Sequence, residues 1–195
     1  MSDAREALSD PPRAPDVRVG SVTDGLTPIS FAERSLAAGA WQWTALGLVV
    51  FASALADQLT KELVSRRLAL GDEVSVVGSF SIHHVHNSGI AFGLFSSATA
   101  VVIALTGLAI AWMFLFFARS GGRHPVLPVG LGLVLGGSVS NLVDRVRLGY
   151  VTDFLDLRFW PAFNLADTFI VVGVVVLLGA LIAVDREPRR PRRAP

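Results

Sequence analysis

The chain has 195 residues, a mean hydropathy of +0.55 and 52% hydrophobic residues, which together exclude an ordinary water-soluble globule and mark an integral membrane protein. It contains no cysteine, so disulfides, thiolate metal sites and a cysteine nucleophile are excluded. The net charge of +1 says little as a sum, but the arginines flank apolar runs and do not interleave with aromatics, which argues against a nucleic-acid partner.

Residues 1–40 hold Pro11, Pro12, Pro15 and Pro28 among scattered charges, with no apolar run long enough for the centre of a signal peptide, and read as a disordered tail. Four apolar runs follow, at 41–59, 94–118, 125–143 and 163–184. Each approaches the ~20 residues that a helix needs to cross ~30 Å of hydrocarbon. Trp41 and Trp43 suit an interfacial end of the first. Residues 71–95 are too polar and β-branched for lipid-facing helix; Val74 and Val76, then Phe80 and Ile82, alternate around Gly78 and Ser79 and predict a hairpin at the membrane surface. In the third run Gly130, Gly132, Gly136 and Gly137 predict close helix packing.

The predicted fold is therefore an all-α membrane protein of four transmembrane helices, with a small extracytoplasmic β-hairpin or sheet between the first and second spans. The membrane domain covers 41–184, and tails at 1–40 and 185–195 flank it. An even number of spans puts both termini on one side. That side carries eleven arginines, against six lysines and arginines on the other, so the termini are expected in the cytoplasm.

The costly residues lie in 136–167, where Asp144, Asp153, Asp156 and Asp167 sit among apolar neighbours. A charge at membrane depth costs at least ~2.5 to 3.5 kcal/mol on insertion scales and needs a reason. Asn141, Asp144 and Arg145 share one helix face, and Asp144 beside Arg145 reads as a polar clamp. Asn164 and Asp167 repeat the pattern at the start of the fourth span. Asp153 and Asp167 have no basic neighbour in sequence. Two carboxylates meeting in a semi-apolar site tend to share one proton, which is what general acid and base work requires. Asp57 and Lys61 form an i, i+4 pair that reads as a helix-end ion pair, and Asn87, Ser88 and Gly89 suit either a turn or a contact with substrate.

At these residues the chain resembles the lipoprotein signal peptidases, or type II signal peptidases, which are membrane aspartyl proteases. The resemblance rests on Asp57-Gln58-Leu59-Thr60-Lys61, on His86-Asn87-Ser88-Gly89-Ile90-Ala91-Phe92, on Gly136-Gly137 through Asn141-Leu142-Val143-Asp144-Arg145 with Gly149-Tyr150-Val151-Thr152-Asp153-Phe154, and on Pro161-Ala162-Phe163-Asn164-Leu165-Ala166-Asp167. It implies that Asp153 and Asp167 are catalytic, that Asn87, Asn141, Arg145 and Asn164 contact substrate, and that Asp57, Lys61, Gly89 and Asp144 support the site. It further implies a monomer in the bacterial cytoplasmic membrane, with the site on the extracytoplasmic side and no metal or cofactor. The implied reaction removes the signal peptide before the diacylglyceryl-modified cysteine of prolipoproteins, in contact with membrane lipids. Ile90 and Ser140 depart from the family pattern, which has a small residue and a glycine there, and the 14 residues from Asp153 to Asp167 are a short spacing for it.

Two other readings carry less. His83, His84 and His86 with nearby aspartates raise a metal site, and Asp144 with Asp167 raise an ion- or proton-coupled transporter, although the acids cluster at one face and trace no path across a bilayer.

Overall fold

The computed structural model describes residues 37–88 and 99–185. Most of the N-terminal tail, the arginines from 186 onward, Gly89 and Ile90 lie outside the described residues. The elements in chain order are α1 (Ala40–Arg67), β1 (Glu73–Val77), β2 (Phe80–Asn87), α2 (Thr99–Ser120), α3 (Leu127–Leu148), β3 (Val151–Asp156) and α4 (Leu165–Asp185). All four helices are long and apolar enough to cross a membrane.

α1 continues well past the predicted end at residue 59 and runs 28 residues. Lys61 lies past the apolar run but does not end the helix, because its charge is met by Asp57 one turn back and by Asp144 of α3. Arg66 and Arg67 in its last turn complement the helix dipole.

α3 is the central element: more than half of its apolar stretch is buried, whereas α1, α2 and α4 turn most of theirs outward. The small residues predicted from sequence make that possible. A Cβ added at Gly136 would collide with Ser53 Oγ of α1, and one at Gly137 would collide with the Ala166 carbonyl of α4. At the end of the bundle away from the sheet, Leu46, Phe117, Leu131 and Leu135 form an apolar core, with Trp43 packed edge-on against Phe117 at 5.0 Å.

The hairpin forms as predicted, turning at Gly78, whose φ of 55° suits a residue without a side chain. It is joined by a strand that the sequence reading left unassigned. β3 comes from the connection between the third and fourth spans and pairs antiparallel with β2, giving the order β1-β2-β3. Its residues Val151, Thr152, Asp153 and Phe154 are all buried, so no exposed alternation betrays the strand. Gly149, at φ 83°, ends α3 and turns the chain directly into β3. The pairing puts Val85 opposite Asp153 and Asn87 opposite Val151, so the sheet carries an acidic residue to the mouth of the helix bundle.

Candidate active site

Asp167 reaches its place through helix chemistry. Asn164 is the N-cap of α4: its Oδ1 accepts the Asp167 N–H at 2.9 Å, while Asp167 Oδ2 accepts the Asn164 N–H at 3.3 Å. This reciprocal capping box satisfies two backbone donors at a helix start. A third donor, the Ala166 N–H, goes to Asp57 Oδ1 of α1 at 2.8 Å. The Asn-x-x-Asp spacing is thus a helix-start signal as well as a pair of polar groups.

Asp153 comes from the middle of β3 and is 2% exposed. Its Oδ2 accepts from Asn87 Nδ2 at 3.0 Å and its Oδ1 from Asn164 Nδ2 at 2.7 Å. Asn164 Nδ2 also donates to Asn141 Oδ1 at 3.1 Å, and Asn141 Nδ2 donates to Asp167 Oδ1 at 2.9 Å. The two acids predicted as a pair are therefore brought together and linked by neutral amides from α3 and the start of α4. Burial pushes the Asp153 carboxyl up to about 6; the neighbouring charge of Asp167 adds to the rise, while the Asn87 and Asn164 hydrogen bonds and the Lys61 charge oppose it.

A cavity of about 730 Å³ opens from this pair. Asn87, Asn141, Arg145, Asp153 and Asp167 form its polar end, and Val102 of α2 with Ile170, Val171 and Val172 of α4 form apolar walls. Phe159 and Trp160, 77% and 55% exposed, stand in its rim on the short loop between β3 and α4. A smaller cavity of about 240 Å³, bordered by His86, Asn87 and Ser88, reaches Asp153 as well. The arrangement can hold a largely apolar molecule with one polar segment against two carboxylates.

The supporting residues form a second layer on the α1 side of Asn141. Lys61 Nζ lies 2.6 Å from Asp57 Oδ2 and 2.7 Å from Asp144 Oδ2, and it donates to Asn141 Oδ1 at 2.8 Å. The Asp57 and Lys61 pair is real but differs from a helix-end anchor: both residues are buried and tie α1 to α3 and α4. The clamp expected between Asp144 and Arg145 is corrected. The ion-pair partner of Asp144 is Lys61, reached across the helix interface, while Arg145 lines the cavity with Asp153 and Asp167. Sequence neighbours at i and i+1 diverge around a helix, so adjacency was a poor guide.

Gln58 and Ser140 were given no role by the sequence reading. Gln58 Nε2 donates to Asp144 Oδ1 at 2.7 Å and to Ser140 Oγ at 2.9 Å, and Ser140 Oγ donates to Asp57 Oδ2 at 2.7 Å. Asp156 also gains a function: it accepts the Arg158 N–H at 2.7 Å and meets His83 Nδ1 at 3.0 Å, which holds the turn leading to Phe159. Those contacts keep its carboxyl below the usual range. The His84 and His86 rings meet edge-on at 5.2 Å, but each histidine has a separate further partner. His84 Nδ1 meets the Leu68 carbonyl at 3.0 Å, His86 stacks on Tyr150 at 3.7 Å, and no group of three or more metal-binding side chains occurs among the described residues.

Fold and site together define a four-span membrane protein with a carboxylate pair, one buried and one half-buried, at the head of an apolar cavity. The family model for signal peptidase II matches residues 49–183, and the chain belongs to that family of membrane proteases. Its relatives include lipoprotein signal peptidases from Symbiobacterium thermophilum, 40% identical over 72% of this chain and 95% of the relative, and from Moorella thermoacetica, 42% identical over 69% and 90%. A solved structure described as a bacterial membrane enzyme aligns with a TM-score of 0.70 at 25% identity, covering 77% of this chain and 94% of that one.

Proposed function

We propose that the chain is an intramembrane aspartyl endopeptidase that removes the signal peptide from lipid-modified prolipoproteins. One observation carries this reading: Asp153 and Asp167, from different elements, are joined through Asn141 and Asn164 at the polar end of an apolar cavity. The pair shares one proton. One carboxylate takes a proton from the attacking water while the other, protonated, polarises the scissile carbonyl and then protonates the leaving amine. The water oxygen bonds to the carbonyl carbon and the C–N bond breaks. The signal peptide leaves with a new carboxylate, and the diacylglyceryl-cysteine keeps a free amine.

The apolar walls take the acyl chains and the apolar part of the signal peptide. Asn87, Asn141 and Arg145 border the cavity and orient the peptide, whereas Asn164, expected from the sequence to contact substrate, is fully buried with its amide spent on Asp153, Asn141 and the Asp167 N–H. Exclusion of bulk water strengthens the field of the carboxylates. The step uses no metal or cofactor, and the protein works as a monomer in contact with lipid. The termini are cytoplasmic and the sheet end faces outward, as the arginine distribution indicates.

The test is cleavage of a lipid-modified prolipoprotein by the purified protein. Asp153→Asn and Asp167→Asn are each expected to lower kcat by about 1,000-fold or more while the protein still inserts. Substantial cleavage by either variant, in a preparation free of wild type, overturns the aspartate-pair reading.

A further inference from the structure

Lys61 is a buried cation that the proposed chemistry does not use. It is 4% exposed, faces two carboxylates, and spends its remaining hydrogen bond on Asn141 Oδ1 at 2.8 Å. An ammonium has donors only, so the carboxamide atom that meets it must be the oxygen. With its oxygen held there, Asn141 turns Nδ2 toward Asp167 Oδ1.

The choice propagates to the second amide. Asn141 Oδ1 also accepts from Asn164 Nδ2, and Asn164 Oδ1 is held by the Asp167 N–H, another group that only donates. Asn164 Nδ2 then faces Asp153 Oδ1. Two donor-only groups thus leave both amides a single orientation. With Lys61 absent, Asn141 Oδ1 keeps only the neutral Asn164 Nδ2 donor and loses its charged hydrogen bond, so the amide keeps its orientation but is held less tightly against Asp167.

We propose that Lys61 is a positioning residue for the hydrolysis: through Asn141 it holds an amide NH2 on Asp167, beside the Asn164 amide on Asp153, and so fixes the direction in which the carboxylates face water and the scissile carbonyl. The proposal rests on the aspartate-pair reading. Asp57, Gln58, Ser140 and Asp144 hold the lysine in turn, so the cluster acts as a rigid foundation for the amides.

The experiment compares Lys61→Met in two backgrounds, using the full chain and the lipid-modified prolipoprotein. In the wild-type background kcat is expected to fall roughly 10- to 100-fold with KM within about twofold, as for a misaligned catalytic group. In the Asn141→Ala background the same substitution is expected to cost less than about twofold more, because the amide that Lys61 holds is gone. A lysine that merely neutralised Asp57 and Asp144 would cost the same factor in both. Should Lys61→Met fail to accumulate, Lys61→Met with Asp144→Asn keeps the net charge of the cluster and is read against Asp144→Asn alone, with the same loss of kcat expected. Full kcat, or equal losses in the two backgrounds, overturns the positioning role while an inactive Asp153→Asn leaves the aspartate pair standing. An active Asp153→Asn removes the aspartate reading and this role together.

Discussion

Two pairs of aspartates, all buried except the half-buried Asp167, lie within one hydrogen-bond network, and they are solved in opposite ways. Asp57 and Asp144 share an ammonium at 2.6 and 2.7 Å. Among the described residues, the hydrogen bonds to Asp153 and Asp167 come from neutral amides and a backbone N–H, with the Arg145 guanidinium in the same cavity wall. A cation in contact fixes the charge of a carboxylate and makes it a structural tie. Amides orient a carboxylate but leave its proton free to come and go, which is the condition for acid and base work. The difference separates the two pairs by role, which their apolar sequence surroundings alone do not.

The largest effects come from removing one acid of each kind. Asp57→Ala deletes one of the two carboxylates on Lys61 and the acceptor of Ser140 and of the Ala166 N–H at the start of α4. Breaking a buried ion pair from one side costs about 3 to 5 kcal/mol, so this variant is expected to lose much of its thermal stability or fail to accumulate. Asp167→Asn, which keeps a polar group at the third position of α4, is expected to lower stability by about 1 kcal/mol or less while abolishing turnover. Thermal unfolding in detergent alongside cleavage assays checks the contrast, and a stable but inactive Asp57→Ala would collapse it.

A smaller effect concerns pH. The carboxyl of Asp153 lies above the ordinary value of 3.8, at about 6, so it keeps its proton as pH rises to that point and gives it up beyond. A reaction that needs one shared proton then declines on the alkaline side, about tenfold in kcat/KM per pH unit past the higher apparent constant of the pair. The Asn87 hydrogen bond favours the ionised form of Asp153. Asn87→Ala is therefore expected to move the alkaline limb to higher pH. A limb that stays in place or moves lower in a full profile of kcat/KM would show that Asp153 does not own that ionisation.

Much of this was legible before any coordinates, for definite physical reasons. A span announces itself by apolar length, and an acid without a local cation announces a partner elsewhere, which is how Asp153 and Asp167 stood out. The amides were found because Asn141 and Asn164 share helix faces or turns with acids. What stayed hidden depends on contacts between elements. The partner of Asp144 comes from 83 residues away in α1, and β3 hides because both its faces are buried. The Asn-x-x-Asp cap was present in the sequence but was read only as chemistry. Phe159 and Trp160 were overlooked although aromatics beside a span end mark a membrane interface.

The smallest predicted effect falls on a residue that departs from the family pattern. Ser140 was read from the sequence as a departure from the family pattern, bearing on packing more than on chemistry. Its hydroxyl is instead a buried junction, donating to Asp57 Oδ2 and accepting from Gln58 Nε2. Ser140→Ala keeps helix propensity and removes only those bonds. Asp57 retains Lys61 and the Ala166 N–H, and Gln58 retains Asp144, so the loss is that of two hydrogen bonds whose partners keep others, about 1 to 2 kcal/mol. A fall of a few degrees in Tm, with kcat within about twofold, is the expected outcome. Because Ser140 touches the cation-tied acids and not the amide-bridged ones, a large loss of kcat at unchanged Tm would mean that the two acid pairs are not separable in function.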